Sequence, residues 1–300
     1  MDKVIPNTFI LGFPKCGTTF CRDLFYQHPD IFMSKPEEPG YFDKNFRFNS
    51  DKLVQFQTLD DYLAVFARAT RERVVVDGSV YQIYDREFVE EILSISPDAK
   101  FIIFLRNPVI ASHSMYLENC KYSGSQKEPK RSFEEAWFDR VKGFAADIPG
   151  QFSSRKYDYP WMYDYYARIK EVEDLISGRV HYVKFEDFVK DRNNSVESLF
   201  HFLKLTRPKN ISFRHVNKAR TSRGGLIRLV WSVVNLIKHW PLLKNFRGRG
   251  LTNNKFFMSV AKKEQLDHHL QKDIDKKLLG NLIQLEGVVN LDLSTWKSDF

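Results

Sequence analysis

Residues 9–19 read FILGFPKCGTT, and this stretch decides the fold of the chain. The apolar run Thr8–Leu11 predicts a buried strand, and Gly12 closes it in a turn. Thr18 and Thr19 then offer N-cap chemistry for a helix. A glycine-containing turn between a strand and a helix directs several backbone N–H groups at one point, and the helix dipole adds to their attraction for an anion. The stretch therefore predicts a phosphate-binding loop in an α/β protein.

Three more apolar runs continue the alternation of strands and helices. We predict these strands over Arg73–Val76, Lys100–Leu105 and Val180–Phe185. Helices are expected after the last two of them, and Pro108 is well placed for a first helical turn. Alternating strands and helices imply right-handed βαβ units around a central, mostly parallel sheet flanked by helices. The predicted fold class is therefore α/β.

One edge of this sheet is expected to carry a ligand site. In parallel sheets, ligands bind at the carboxyl ends of the strands. Polar turns lie at such strand ends, at residues 12–19, 77–79 and 106–108. We therefore expect these turns to meet in one site.

The composition is that of a soluble globular protein with a basic surface. The chain has 300 residues, 43% of them hydrophobic, and a formal net charge of +8. This charge suits an anionic ligand, but it equally suits a basic protein without such a partner. No helix-turn-helix, RNP or zinc-finger pattern is present, so nucleic acid is not predicted as a partner.

The cysteines indicate a reducing compartment. Cys16, Cys21 and Cys120 are sparse and odd in number, and no CxxC spacing occurs, so we predict neither a disulfide framework nor a metal site. The N-terminus lacks a signal-peptide pattern, and no apolar run approaches the length of a membrane span. These features predict a soluble, cytoplasmic protein.

The position of Lys15 distinguishes the loop from that of ATP- or GTP-using proteins. Their loop follows the pattern G-x-x-x-x-G-K-[ST], in which the lysine directly follows the second glycine. Gly12 and Gly17 have the matching separation, but the lysine lies at position 15. There its ammonium can reach an oxygen that becomes negative as a phosphoanhydride-type bond breaks. A nucleotide-dependent kinase or NTPase stays an open alternative.

The FPKCGTT stretch resembles the 5′-phosphosulfate loop of sulfotransferases that use 3′-phosphoadenylyl sulfate (PAPS), whose usual form is P-K-[SAG]-G-T-[TS]. The run FIIFLRNPV at residues 101–109, with Ser114 and Tyr116, resembles the 3′-phosphate motif of that family. Pro36–Phe42 resembles its K-E-P-H-[YF]-F segment. The resemblance covers nearly the whole chain and is strongest to the heparan-sulfate-type and bacterial carbohydrate branch. It implies a P-loop-like sulfotransferase fold and transfer of a sulfuryl group from PAPS to a hydroxyl or amine of a carbohydrate or glycolipid.

The resemblance implies two groups of residues that bind PAPS. Lys15 would contact the oxygen that bridges the sulfate and the 5′-phosphate. The 5′-phosphate would be bound by backbone and hydroxyl groups of Cys16, Gly17, Thr18 and Thr19. The 3′-phosphate would be held by Arg106 and Ser114. Because a helix N-terminus lowers the pKa of a thiol, Cys16 is also expected to be sensitive to oxidation.

Glu38 is the candidate general base, because the glutamate of the K-E-P-H-[YF]-F segment maps to it. An acceptor hydroxyl attacks better if its proton is removed as the new bond forms. Glu37 is a neighbouring alternative. No metal is implied, because Lys15, the loop amides and Arg106 supply the positive charge.

The sequence departs from the family pattern at several positions. Glu37 and Gly78 stand in place of lysines, Gly40 in place of a histidine and Ala111 in place of an arginine. Lys35 is a candidate replacement for the lysine whose place Glu37 takes. Because of these departures, a second alternative stays open, in which the chain is a non-catalytic binding protein that kept the fold.

A single domain over residues 1–300 is the simplest organisation. Residues 121–160 are polar and aromatic, and we interpret them as an insertion on the acceptor side. Residues 207–257 form a basic, irregular segment, which could bind the acceptor, a membrane surface or the donor. Leucine and isoleucine at a spacing of four predict a closing helix over Ala261–Val288.

Overall fold

Five parallel strands form the central sheet. They are β1 (Thr8–Gly12), β2 (Ile31–Met33), β3 (Val74–Asp77), β4 (Lys100–Leu105) and β5 (Val180–Lys184). Their order across the sheet is β2-β3-β1-β4-β5. The strand that leads into the predicted phosphate loop, β1, therefore lies in the middle, between β3 and β4. The prediction of an α/β fold with a parallel sheet is confirmed.

The computed structural model describes residues 3–42, 56–122, 128–141, 157–213, 220–222, 258–260 and 266–297. Its helices are α1 (Thr18–Phe25), α2 (Leu59–Ala64), α3 (Arg86–Ile95), α4 (Pro108–Asn119), α5 (Phe133–Val141), α6 (Tyr159–Met162), α7 (Tyr165–Ile176), α8 (Phe185–Lys190), α9 (Arg192–Phe202), α10 (His268–Val289) and α11 (Ser294–Lys297). A 3-10 helix covers Val80–Tyr84. Within these ranges, no helix combines the length and the apolar character that a membrane crossing requires.

The centre of the sheet is buried on both faces, as is usual for parallel strands. Every residue of β1 is buried, and so are residues 101–105 of β4. Phe9 and Phe101 are register partners on these strands, and their ring centroids lie 6.1 Å apart. The core therefore fixes the two strand ends from which the phosphate loop and Arg106 emerge.

The observed elements differ from the predicted ones at several boundaries. β2 has three residues, too few for a periodic pattern, and the sequence does not predict it. The predicted strand over Arg73–Val76 begins and ends one residue later. The helical segment after β5 divides at Asp191, whose side chain caps α9. α1 has Gly17 as its N-cap, so the expected capping by Thr18 or Thr19 is wrong.

The chain divides into two compact units. The first comprises Met1–Ser212 with Leu266–Phe300 and contains the sheet, and the second comprises Phe213–Gln265. Within the second unit, two short strands pair in antiparallel fashion, β6 (Arg220–Ser222) and β7 (Met258–Val260). The single-domain organisation stays a prediction.

Two predicted segments are described only in part. The insertion at 121–160 contains α5 and the beginning of α6, and its residues Trp137 and Tyr159 are buried. Its residues 123–127 and 142–156 lie outside the described residues. The same holds for most of the basic segment at 207–257. The roles assigned to both segments stay predictions.

Candidate active site

The loop between β1 and α1 has the backbone shape of an anion-binding turn. Lys15 and Gly17 have φ angles of 66° and 101°, in the left-handed region. Entry into this region turns successive N–H groups toward a common concavity. Gly17 has no side chain to cap α1, so the first N–H groups of the helix are left for a ligand. Thr18 is buried and Thr19 is half-buried beside them.

Gly17 is enclosed by Phe185, the first residue of α8. A Cβ atom at position 17 would lie 2.4 Å from Phe185 Cδ2. The same ring lies beside Arg106, whose Cζ is 4.9 Å from the ring centroid. Glycine is therefore required here both by the positive φ and by the aromatic ring.

Two buried tyrosines support the loop. Tyr163 donates a hydrogen bond of 3.0 Å to the Pro14 carbonyl, and Tyr165 donates one of 2.9 Å to the Arg106 carbonyl. Because the Tyr165 proton is used in that bond, the Cys16 thiol, 3.3 Å away, is the donor in their contact. The loop and the end of β4 are thus tied to the same pair of tyrosines.

Cys16 is an internal residue. Its side chain is 0% exposed, and burial raises the pKa of the thiol to about 12. The expectation that the helix N-terminus lowers this pKa is therefore wrong, because loss of solvent outweighs the helix dipole. Oxidation sensitivity, which rested on a lowered pKa, is no longer expected. The backbone N–H of Cys16 stays a candidate ligand of the 5′-phosphate.

Arg106 joins the two predicted phosphate motifs. It follows β4, and its Nη1 donates a hydrogen bond of 3.1 Å to the Lys15 carbonyl. Asn107 fixes the start of α4, since its side chain accepts from the N–H groups of Val109 and Ile110. Among the described residues, the other guanidinium N–H groups of Arg106 make no hydrogen bond, so they can serve a phosphate.

Ser114 lies on the face of α4 that carries Glu118. It is half-buried and precedes Glu118 by four residues, which places both on one helix face. Glu118 Oε2 is 3.7 Å from Lys15 Nζ. Burial alone would raise the pKa of Glu118, but Lys15 and Lys121 more than offset it and hold the pKa below its ordinary value. Lys15 therefore faces a charged carboxylate.

Glu38 is connected to the loop through Arg22 of α1. Arg22 Nη1 donates a hydrogen bond of 2.8 Å to Glu38 Oε1, and Nη2 donates one of 2.9 Å to Thr19 Oγ1. The same Nη1 is 3.4 Å from Glu37 Oε2. The Glu38 side chain is 27% exposed and that of Glu37 is 48% exposed. Of the two candidate bases, Glu38 is thus the more firmly held.

The turn after β3 shapes the surroundings of Glu38. Ser79 Oγ accepts a hydrogen bond of 2.8 Å from the Gly40 N–H, which fixes the chain after Glu38. A Cβ atom on Gly78 would lie 2.5 Å from the Glu37 carbonyl oxygen. A lysine at position 78 would therefore displace the segment that carries Glu38.

Four residues of this network were not identified from the sequence. Arg22 and Glu118 had a usable signal, because helical spacing places them on the same faces as Thr19 and Ser114. Tyr165 and Phe185 come from distant parts of the chain, so no local pattern reveals them.

The structure connects the predicted loop, Arg106 and Glu38 in one network, and their roles stay predictions. In the described ranges, no group of three or more His, Cys, Asp or Glu side chains is arranged to hold a metal ion. The expectation of a metal-free site likewise stays a prediction.

Known proteins match this chain both in sequence and in fold. A family profile described as "Sulfotransferase domain" matches residues 6–277. Carbohydrate sulfotransferase 15 of Rattus norvegicus is 25% identical over 44% of this chain and 30% of its own length. Heparan sulfate glucosamine 3-O-sulfotransferase 3B1 of Mus musculus is 25% identical over 46% of this chain and 32% of its own length. The chain thus spans about a third of the length of these curated relatives.

A solved structure resembles the fold over nearly the whole chain. The crystal structure of a sulfotransferase from Alicyclobacillus acidocaldarius has a TM-score of 0.70 and covers 98% of this chain and 99% of its own. The two sequences are 20% identical, so the likeness bears on the fold alone.

Proposed function

The chain belongs to the sulfotransferase family and has its P-loop-like α/β fold, and we propose that it transfers a sulfuryl group from PAPS to an acceptor. The observation that carries this proposal is the hydrogen bond from Arg106 Nη1 to the Lys15 carbonyl. It joins the loop assigned to the 5′-phosphate with the residue assigned to the 3′-phosphate. A nucleotide that bears phosphates at both positions needs two neighbouring anion sites of this kind.

The donor half of the site consists of Lys15–Thr19 with Arg106 and Ser114. We assign the 5′-phosphate to the N–H groups at the start of α1, where the helix dipole favours an anion. Thr19 accepts its hydrogen bond from Arg22, so its own hydroxyl proton is left to donate to a phosphate oxygen. Arg106 has the planar fork that matches the oxygens of the 3′-phosphate.

The reaction is an in-line displacement at sulfur. A bond forms between the acceptor oxygen or nitrogen and sulfur, while the bond between sulfur and the bridging oxygen of PAPS breaks. The acceptor proton passes to Glu38, and the electron pair of the broken bond leaves with adenosine 3′,5′-bisphosphate. Lys15 stabilises the charge on that departing oxygen. A positioned general base contributes about 10²- to 10⁴-fold to such a step.

The proposed acceptor is a carbohydrate or a glycolipid. The support for this class is the family resemblance together with the names of two relatives, a carbohydrate sulfotransferase and a heparan sulfate glucosamine sulfotransferase. The acceptor half of the site, Glu37–Gly40 with Gly78, departs from the family pattern, so the proposal is limited to the class. A cytoplasmic location belongs to the same proposal and is supported by free cysteines.

A kinase or NTPase is the second candidate, and it would need an acidic residue placed to hold Mg²⁺. Asp77 ends β3, beside β1, where an acid could hold Mg²⁺ for a nucleotide. Its carboxylate accepts a hydrogen bond of 2.7 Å from Tyr62 and one of 2.8 Å from the Ser79 N–H. Burial raises the pKa of Asp77. These contacts hold Asp77 in the core, which favours the sulfotransferase.

Ligand-induced thermal stabilisation separates these functions. We expect adenosine 3′,5′-bisphosphate to raise the Tm and ATP with Mg²⁺ to leave it unchanged. Stabilisation by ATP with Mg²⁺ alone would contradict the proposal in favour of a kinase or NTPase.

Transfer of radiolabelled sulfate from PAPS to a panel of glycans, glycolipids and phenols tests the activity itself. We expect transfer by the wild type and its loss in Lys15→Ala and Glu38→Gln. Binding of the bisphosphate without transfer to any member of the panel would instead indicate a non-catalytic relative.

A further inference from the structure

Arg22 bridges the acceptor half of the site to the first turn of the phosphate-loop helix. Its Nη1 bonds Glu38 Oε1 at 2.8 Å, and its Nη2 bonds Thr19 Oγ1 at 2.9 Å. The arginine side chain is only 10% exposed, so these bonds are shielded from water. One guanidinium thus fixes the separation between the loop and the candidate base.

The cation near Glu38 comes from α1, and the neighbouring turn at Gly78 has little room for a side chain. A Cβ atom on Gly78 would lie 2.5 Å from the Glu37 carbonyl oxygen and 3.5 Å from Arg22 Cδ. The clashes are with the Glu37 carbonyl and with Met33 Cε, at 2.6 Å, whereas Arg22 Cδ is at an ordinary contact distance, so Arg22 fits beside a closely enclosed Gly78.

A planar arginine is suited to this task. Its two terminal nitrogens diverge in a fixed fork, so two acceptors on different segments are held at a set distance. A lysine has one charged centre on a flexible stem and would fix the distance less well. A displacement of about 1 Å at a reacting group can lower a rate by about 10²-fold.

We infer that Arg22 is a positioning residue, which holds the Glu38 carboxylate in the geometry that removes the proton of the acceptor. This role rests on the proposed function, in which Glu38 is the base. Arg22 acts on the acceptor proton through Glu38. Its other bond is to Thr19, whose hydroxyl can still donate to a phosphate when Arg22 is absent, so loss of Arg22 lowers the rate of transfer and changes donor binding little.

The kinetic test compares Arg22→Gln and Arg22→Lys with the matched control Arg168→Gln. Arg168 is 11% exposed, pairs with Glu171 at 2.9 Å and, like Arg22, has a buried Nε without a hydrogen bond among the described residues. We expect Arg22→Gln to lower kcat by about 10²-fold, with the KM for PAPS within about threefold of wild type. Arg22→Lys should recover part of the loss, and Arg168→Gln should stay within about twofold.

A double variant shows whether Arg22 works through Glu38. If it does, Arg22→Gln combined with Glu38→Gln is no slower than Glu38→Gln alone. Independent, multiplying losses would overturn the inference. A rise in KM with kcat unchanged, or an equal loss in Arg168→Gln, would overturn it as well.

Crystal structures of the wild type and Arg22→Gln separate this inference from the proposed function. If the wild type transfers no sulfate from PAPS, the proposed function is contradicted. The comparison of the two crystal structures then still tests whether Arg22 positions Glu38. In that comparison we expect the Glu38 carboxylate to move away from Thr19 in Arg22→Gln. A carboxylate that keeps its wild-type position would overturn the positioning role.

Discussion

The donor half and the acceptor half of the site are held in different ways. In the donor half, the carbonyl groups of Pro14, Lys15 and Arg106 accept hydrogen bonds from the side chains of Tyr163, Arg106 and Tyr165, respectively. In the acceptor half, Glu38 is held by the side chain of Arg22, and Gly40 by that of Ser79. The groups that are held in the donor half thus belong to the backbone, whereas in the acceptor half one of them, the Glu38 carboxylate, is itself a side chain.

This difference is consistent with the positions of three of the four departures from the family's sequence pattern. A backbone carbonyl is present whichever residue occupies a position, whereas a side-chain group is lost when its residue is replaced. Three of the departures, Glu37, Gly40 and Gly78, lie in the acceptor half. The fourth, Ala111, lies between Arg106 and Ser114 in the donor half and is wholly buried in α4. Donor chemistry is therefore expected to follow the fold, while acceptor choice is particular to this chain.

The largest expected effect comes from removing the charge of the loop. Lys15→Ala should lower kcat by about 10²- to 10³-fold, because the departing oxygen loses its cation. Steady-state transfer from PAPS measures it. Lys121→Ala is the control, since Lys121 also pairs with Glu118, at 3.2 Å, but lies outside the loop. Equal losses in the two variants would contradict a specific role for Lys15.

The second prediction strains the backbone of the donor half. Gly17→Ala places a Cβ atom 2.4 Å from Phe185 at a φ of 101°, so it should destabilise the protein by about 2 to 4 kcal/mol. It should also weaken binding of adenosine 3′,5′-bisphosphate by about 30-fold, a loss that corresponds to about 2 kcal/mol. Thermal unfolding and calorimetry measure the two changes.

Gly178 provides the control for Gly17→Ala. It has a φ of 74° with nothing within 4 Å of the added atom, so Gly178→Ala isolates the backbone strain. It should cost about 1 kcal/mol and leave bisphosphate binding unchanged. If Gly17→Ala destabilised the protein no more than Gly178→Ala and left bisphosphate binding unchanged, contact with Phe185 would not shape the loop.

The sequence predicts the donor half better than the acceptor half for the same physical reason. Lys15, Gly17 and Arg106 lie in local patterns whose backbone shape follows from residue type and from strand–turn–helix order. Arg22 meets Glu38 because the fold brings α1 next to the segment after β2 that carries Glu38. No local pattern contains that contact.

The fold shows the same division between local and non-local signals. The strand over Lys100–Leu105 is recognised to the residue, because a continuous apolar run marks a strand buried on both faces. β2 is missed, since its three residues take their conformation from pairing with β3. The pKa of Cys16 is wrongly predicted because the tertiary fold buries the thiol completely, and a local pattern does not reveal that burial.

The third prediction strains the acceptor half alone. Gly78→Ala brings a Cβ atom to 2.5 Å from the Glu37 carbonyl, so it should shift Glu38 and lower kcat by about tenfold. Binding of adenosine 3′,5′-bisphosphate should change by less than about twofold, which is opposite to the pattern of Gly17→Ala. Gly280→Ala, in open space on α10, is the control and should not lower kcat. Loss of donor affinity in Gly78→Ala would break the distinction between the two halves.

The smallest effect concerns Glu118, a carboxylate that lies beside Lys15 in the donor half. Glu118 Oε2 lies 3.7 Å from Lys15 Nζ, and both side chains are about a third exposed, at 38% and 33%. A pair of this exposure contributes about 0 to 1 kcal/mol. An anionic donor must compete with Glu118 for Lys15 and also meets its negative charge. Glu118→Gln should therefore tighten binding of adenosine 3′,5′-bisphosphate by about threefold.

Calorimetry at two salt concentrations tests the electrostatic origin of this gain. The gain should shrink at high salt, because screening weakens both the pairing and the repulsion. Glu173→Gln is the control, since Glu173 is 35% exposed and pairs with Lys170 on α7, and it should not change the affinity. A weaker affinity in Glu118→Gln would mean that the carboxylate pre-orients Lys15 for the donor. Glu118 would then count among the residues that build the donor half, and backbone geometry alone would not suffice there.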